Sequence, residues 1–178
     1  LKGKFQLSYY FYVDNAMAIF NSILAEKKLP SDLRSNILLD KGECEIIKGQ
    51  LKQSLETFKL VTDRKYAGEA FIRSARVAYF QNDWELGKKY ISNLLKTEGM
   101  SGDVTNDALA LQLKLNYAEK HPDVLSVMAK GELLVFQQKI SEARKEFIEL
   151  VNMSNVPAAL KSEAYLMISR LSLVLDEI

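Results

Sequence analysis

The feature that most limits how this chain can fold is a recurring pair of residue sizes. A small residue is followed four positions later by a large apolar one at Ala16 and Phe20, Ser54 and Phe58, Gly87 and Ile91, and Ala143 and Phe147. Three positions further on stand Ile23, Val61, Leu94 and Leu150. Residues at this spacing share one face of an α-helix. The small residue lets a neighbouring helix approach, and the large one fills the space beside it. Twelve residues before three of the small positions stands a second small residue, at Gly42, Ala75 and Gly131. Such a pair marks the close crossing of two successive helices. The segments "IIKGQLKQSLETF" (46–58) and "FQQKISEARKEF" (136–147) repeat the same order of helix end, polar turn and helix start.

Helical spacing continues outside these positions. Val13, Ala16, Met17, Phe20, Ile23 and Leu24 form one apolar stripe, as expected for a helix with one buried face. Pro30 with Ser31 and Asp32 is an N-cap signal for the next helix. The spacing predicts helices over 13–27, 32–48, 51–62, 66–81, 84–97, 104–119, 122–137, 140–152 and 158–176, with part of another before residue 13. Pro122 and Pro157 fall near helix starts, where a missing N–H costs little. One stretch competes. In "LQLKLNY", Leu111, Leu113, Leu115 and Tyr117 alternate as a strand would. It has no β-branched residue, and Ala108, Leu111, Leu115 and Ala118 also make a helical stripe, so helix is the expectation. Overall helix content above ~60% follows, against the usual third. The 178 residues, 48% apolar and 26% charged, suit one globular domain or a short repeat array.

These units resemble the tetratricopeptide repeat (TPR) family, built from 34-residue helix-turn-helix repeats. Gly42, Gly49 and Phe58 match its motif in one unit. Phe71, Ala75, Trp84 and Ile91 match in the next, and Gly131, Ala143 and Phe147 in the last full one. Ala16 and Phe20 resemble the second helix of a partial unit, and Tyr165, Ile168 and Ser169 the first helix of a further one. The family's Leu-Gly pair is Lys41-Gly42 and Lys130-Gly131 here, its Tyr is Glu45, Ala78 or Leu134, and its closing Pro is missing from the full units. Other degenerate αα-repeats remain an alternative. The resemblance implies an all-α, right-handed αα-superhelix. It is divided as a partial unit 1–27, units 32–62 and 66–97, an inserted helix 104–119, a unit 122–152 and a terminal helix 158–176. The insert follows from spacing: Gly87 to Ala143 is 56 residues, where about 34 would suffice. An odd helix would reverse the later pair unless the array re-registers or carries it as an irregular insert. Leu1 stands where a native start has Met, so a longer parent chain is expected.

Composition argues against several chemistries. The chain has 24 basic and 23 acidic residues and no long basic run, whereas nucleic-acid binding usually needs a basic face. With one cysteine and one histidine, it can form neither an internal disulfide nor a Cys/His zinc set. Cys44 lies between Glu43 and Glu45, which raise a thiol pKa rather than activate it. His121 is expected in a loop before Pro122, and Glu43 and Glu45 on a solvated helix face. "KGECEIIKG" lacks the spacing of a phosphate-binding loop. No apolar run reaches the ~20 residues of a membrane helix. The rings of Tyr9, Tyr10, Phe11 and Tyr12 suggest packing of the first helices over an aromatic cage. The expectation is a non-enzyme with no catalytic residue, metal or cofactor. The compartment is open between the cytoplasm and the bacterial periplasm or cell envelope.

Function by resemblance is the binding of a partner protein's peptide or helix in a concave groove lined by the first helices of the units. The positions so implied are Asn36, Leu39, Glu43 and Ile47, then Ile72, Arg73, Arg76, Tyr79 and Phe80, then Met128 and Glu132. Arg73 and Arg76 are suited to gripping a carboxylate. The family's Lys/Asn/Arg clamp for C-terminal carboxylates is not reproduced. The alternative is a structural or self-assembling segment of a larger helical-repeat protein. The last helix supports both readings. Ala164, Leu166, Met167, Ile168, Leu171, Leu173, Val174 and Leu175 surround it on nearly all sides, and a helix of that kind expects cover on more than one face. Further repeats are the favoured cover, and a second copy of the chain, joined through this helix, is the other.

Overall fold

The computed structural model describes residues 2–96 and 102–176, with side chains over 12–96 and 104–175. Among the described residues are nine α-helices and no strand. The helices are α1 (Lys2–Leu24), α2 (Ser31–Ile47), α3 (Leu51–Lys59), α4 (Ala67–Phe80), α5 (Trp84–Leu95), α6 (Gly102–Leu115), α7 (Pro122–Phe136), α8 (Ile140–Asn152) and α9 (Ala158–Asp176). Short 3₁₀ turns occupy Arg64–Tyr66 and Asn116–Glu119. "LQLKLNY" is thus helical, and its end tightens into a 3₁₀ turn instead of extending as a strand. The fragment expected before residue 13 is continuous with the helix after it, because no turn residue interrupts the run. The rings of Tyr9, Tyr10 and Phe11 lie outside the described residues, and Tyr12 is exposed.

The size pairs meet as the spacing requires. Gly42 on α2 lies against the ring of Phe58 on α3, and Gly131 on α7 against Phe147 on α8. A Cβ on Gly42 would sit 2.6 Å from Phe58 Cζ and nearer still to Cε1. On Gly131 it would sit 2.9 Å from Phe147 Cζ. Ala75 of α4 and Ile91 of α5 hold the same places, both fully buried. Here a side chain without a ring stands where the other two pairs carry Phe, and the small residue opposite has a methyl. In α1, which packs on α2, the corresponding Ala16, Phe20 and Ile23 are only half-buried.

The turns inside these three pairs are built alike. Each has one residue with positive φ: Gly49 (75°), Asn82 (61°) and Gln138 (57°). The following N–H, of Gln50, Asp83 or Lys139, donates back to the carbonyl of Glu45, Ala78 or Leu134 at 2.8–2.9 Å. This closes the end of the first helix in the manner of a Schellman motif. Gly suits such a position, Asn tolerates it, and Gln pays a steric cost. Among helix starts, the Asp83 carboxylate accepts from the Leu86 N–H at 3.1 Å. The expected cap at Ser31 and Asp32 is absent. Ser31 is already helical after Pro30, and its hydroxyl donates to Asp63 at 3.0 Å.

Helix α6 does not reverse the pair that follows it. α6 packs on both α4 and α5, with Leu115 against Gly87. The next helix, α7, returns to α4. The C-terminal ends of α2, α4 and α7 then meet: the Phe80 and Phe136 rings are 6.3 Å apart, edge to face, and Gln137 Nε2 donates to the Ile46 carbonyl at 3.2 Å. One hydrophobic core runs through these helices, with Tyr79, Leu115, Leu125 and Met128 among its fully buried members.

Candidate functional site

α4 is the centre of the candidate site, since α2, α3, α5, α6 and α7 all pack against it. Its cover decides where the groove residues lie. Leu39, Ile72, Tyr79, Phe80 and Met128 are buried, at 8% exposure or less. They form core where an exposed groove lining is the sequence expectation, because these positions fall on faces of α2, α4 and α7 that neighbouring helices cover, with α6 and α7 adding cover over α4. Asn36 is exposed, and Ile47 is half-buried. Arg73 is engaged within the chain, with its Nη1 3.3 Å from Glu43 and its Nε 3.4 Å from Glu69. Arg76 lies 3.8 Å from Asp107 of α6. Both guanidiniums therefore already face a carboxylate of the chain itself.

Four of the eleven sequence-derived positions share one cleft of about 170 Å³. Ile72, Arg76, Tyr79 and Glu132 line it with Asp107, Ala110, Leu111 and Lys114 of α6. Lys114 is the residue that sequence reasoning misses. Its ammonium bridges Glu132 of α7 and Glu163 of α9, 2.6 Å from the latter. Burial by itself lowers a lysine pKa, but here the two carboxylates outweigh it and hold Lys114 above its ordinary range. Burial pushes the Glu132 carboxyl up, and Lys114 only partly offsets that. The buried Tyr79 hydroxyl makes no hydrogen bond of normal geometry. Its pKa is raised well above the usual value, first by burial and then by the negative charge of Glu132 and Glu163.

A second cleft, open and about 820 Å³, lies between the end of α6 with its 3₁₀ turn and the start of α9. Leu113, Tyr117 and Leu160 supply its apolar lining. Lys120, His121 and Glu163 supply charged and polar groups. Leu113 is 66% exposed, which makes it an apolar side chain presented to solvent inside a concave surface.

Cys44 is half-buried, and its thiol pKa is raised by burial and by Asp40, Glu43 and Glu45. The pair Glu43 and Glu45 is not a solvated face. Glu45 is fully buried, three residues after Gly42 on the side that meets α3. Thr57 donates to its Oε2 at 2.7 Å, while Oε1 has no hydrogen-bond partner. Burial raises its pKa, and the Thr57 hydrogen bond opposes that rise. Among the described residues no group of His, Cys, Asp and Glu is placed to hold a metal ion, and no helix is long and apolar enough to cross a membrane. Neither family models, curated proteins nor solved structures provide a match to this chain.

Proposed function

We propose that the chain is a TPR-like superhelical scaffold that binds a peptide or helix of a partner protein. The observation that carries this reading is the open cleft between α6 and α9, with exposed Leu113 on its wall. This cleft is the roomier of the two, since over α4 the helices α6 and α7 leave a space of only about 170 Å³. Its apolar wall suits the buried side of a short helix or extended segment. Lys120 and His121 at its rim suit an acidic or hydroxyl-bearing residue beside that apolar anchor. Three helix pairs with matching crossings and matching turns support the superhelical part of the reading.

Selection from a randomised peptide library against the purified chain tests this. Recovered peptides should carry a large apolar anchor. They should lose at least tenfold in affinity on Leu113→Lys, a change at an exposed site that leaves the helical circular dichroism spectrum intact. Peptides that bind equally well to Leu113→Lys would place recognition elsewhere and overturn the assignment.

A further inference from the structure

α9 carries a seat that the other first helices of this chain fill. Aligning the helices by sequence on the small residues Gly42, Ala75 and Gly131 sets Ser169 of α9 at the equivalent position. The register is checked by the opposite side of the helix: Ala164 and Leu171 fall where α4 has Ala70 and Val77, and all four are buried. On the remaining side, Ser162, Leu166, Ser169 and Leu173 follow the spacing i, i+4, i+7, i+11. The twelve residues at those four positions in α2, α4 and α7 are buried, except for half-buried Val135. In α9 all four are exposed, with Leu166 at 49% and Leu173 at 64%.

The covered examples define the occupant. At the small residue, the cover is a second helix carrying a small residue, a large apolar one four later and another apolar one three after that. The size of the large residue tracks its seat. Glycine at 42 and 131 takes the rings of Phe58 and Phe147, whereas opposite alanine at 75 the packed helix α5 carries the fully buried Ile91 at the corresponding position. Ser169 has a Cβ and a hydroxyl, so its seat matches the alanine case. We infer that the exposed face of α9 is a docking site for an amphipathic helix with an Ile- or Leu-sized residue in the central position, and that it disfavours Phe there. The second helices α3, α5 and α8 are not free to supply it, since Phe58, Ile91 and Phe147 are already buried in their own pairs. This face is distinct from the α6–α9 cleft, because Leu113 takes no part in it.

The test uses two side-chain-stapled helical peptides, one with the α5 sequence Trp84–Leu95 and one with the α8 sequence Ile140–Asn152. The intact chain should bind the Ile-bearing α5 peptide at least tenfold more tightly than the Phe-bearing α8 peptide. Ser169→Gly should reverse or erase that preference. Leu166→Lys with Leu173→Lys should abolish binding while leaving helix content unchanged, and Leu113→Lys should not affect it. Three results overturn the inference: no binding of either peptide, binding indifferent to the α9 substitutions, or concentration-dependent self-association of the chain that the same two lysines remove. The last would make a second copy the occupant.

Discussion

Gly42→Ala offers the sharpest test of the repeat geometry. A methyl at this position would lie 2.6 Å from Phe58 Cζ and closer to Cε1, and the ring is buried with 1% exposure. Overpacking a tight core costs about 1–3 kcal/mol, and a rigid, enclosed ring places this site at the upper end. Replacing glycine by alanine inside a helix returns roughly 0.5–1 kcal/mol. The net expectation is destabilisation by about 2 kcal/mol. With a urea m-value of about 2 kcal/mol/M, the midpoint falls by about 1 M. Gly131→Ala, at 2.9 Å from the Phe147 ring, should cost about 1 kcal/mol. Gly87→Ala meets only the flexible end of Leu115 at 3.1 Å, so propensity roughly cancels the strain and the change stays within about 0.5 kcal/mol. Urea unfolding followed by circular dichroism reads all three. Combining Gly42→Ala with Phe58→Leu should recover about 1 kcal/mol relative to the sum of the single changes, since the two residues touch. If Gly42→Ala proves as mild as Gly87→Ala, or Phe58→Leu gives no rescue, the crossing is not where the spacing puts it.

Glu45 is a buried acid with a raised pKa, so the folded state holds its proton more tightly than the unfolded chain. Its contribution to stability is present below the ordinary value of 4.5 and is lost as pH rises through the raised folded pKa. Glu45→Gln should therefore raise the urea midpoint near pH 7 and lose that advantage below pH 4.5; an equal gain at both pH values would refute the burial argument. Gln138→Gly, at φ 57°, should raise the thermal midpoint by the equivalent of about 0.5–1 kcal/mol, while Gly49→Ala should lower it by a similar amount. Lys114→Met leaves Glu132 and Glu163 facing each other without a cation. The expected loss is about 1–3 kcal/mol, less than for a fully buried pair because the Glu163 side chain is 37% exposed, and hydrogen exchange should show α6 opening first.

The crossings were legible because they depend on residues close in sequence. Gly42 and Phe58, like Gly131 and Phe147, stand 16 positions apart, and helix geometry alone brings them together. Gly49 announced its turn. Asn82 and Gln138 take the same backbone shape without glycine, so that only the order of flanking residues gave them away. The cover of α4 was not legible. Periodicity identifies an apolar face, but whether Ile72 or Tyr79 meets a ligand or another helix depends on where α6 and α7 return. The same limit hid Lys114, whose partners lie 18 and 49 residues away on separate helices. It also hid the burial of Glu45. Its donor Thr57 sits on the next helix, and the surrounding charges suggested a wet surface.

The side-chain bond from Gln137 to the Ile46 carbonyl spans 91 residues. In a string of repeats where each touches only its neighbours, the ends fray independently and stability grows unit by unit. This bond, with the Phe80–Phe136 contact beside it, acts as a clasp between the first and last full pairs. Detaching either pair would give up this bond, worth about 0.5–1.5 kcal/mol net, and the ring contact beside it, a loss that a simple end repeat does not incur. Melting should consequently be all-or-none from α2 to α8, with folding slowed by the long loop that must close before the clasp forms.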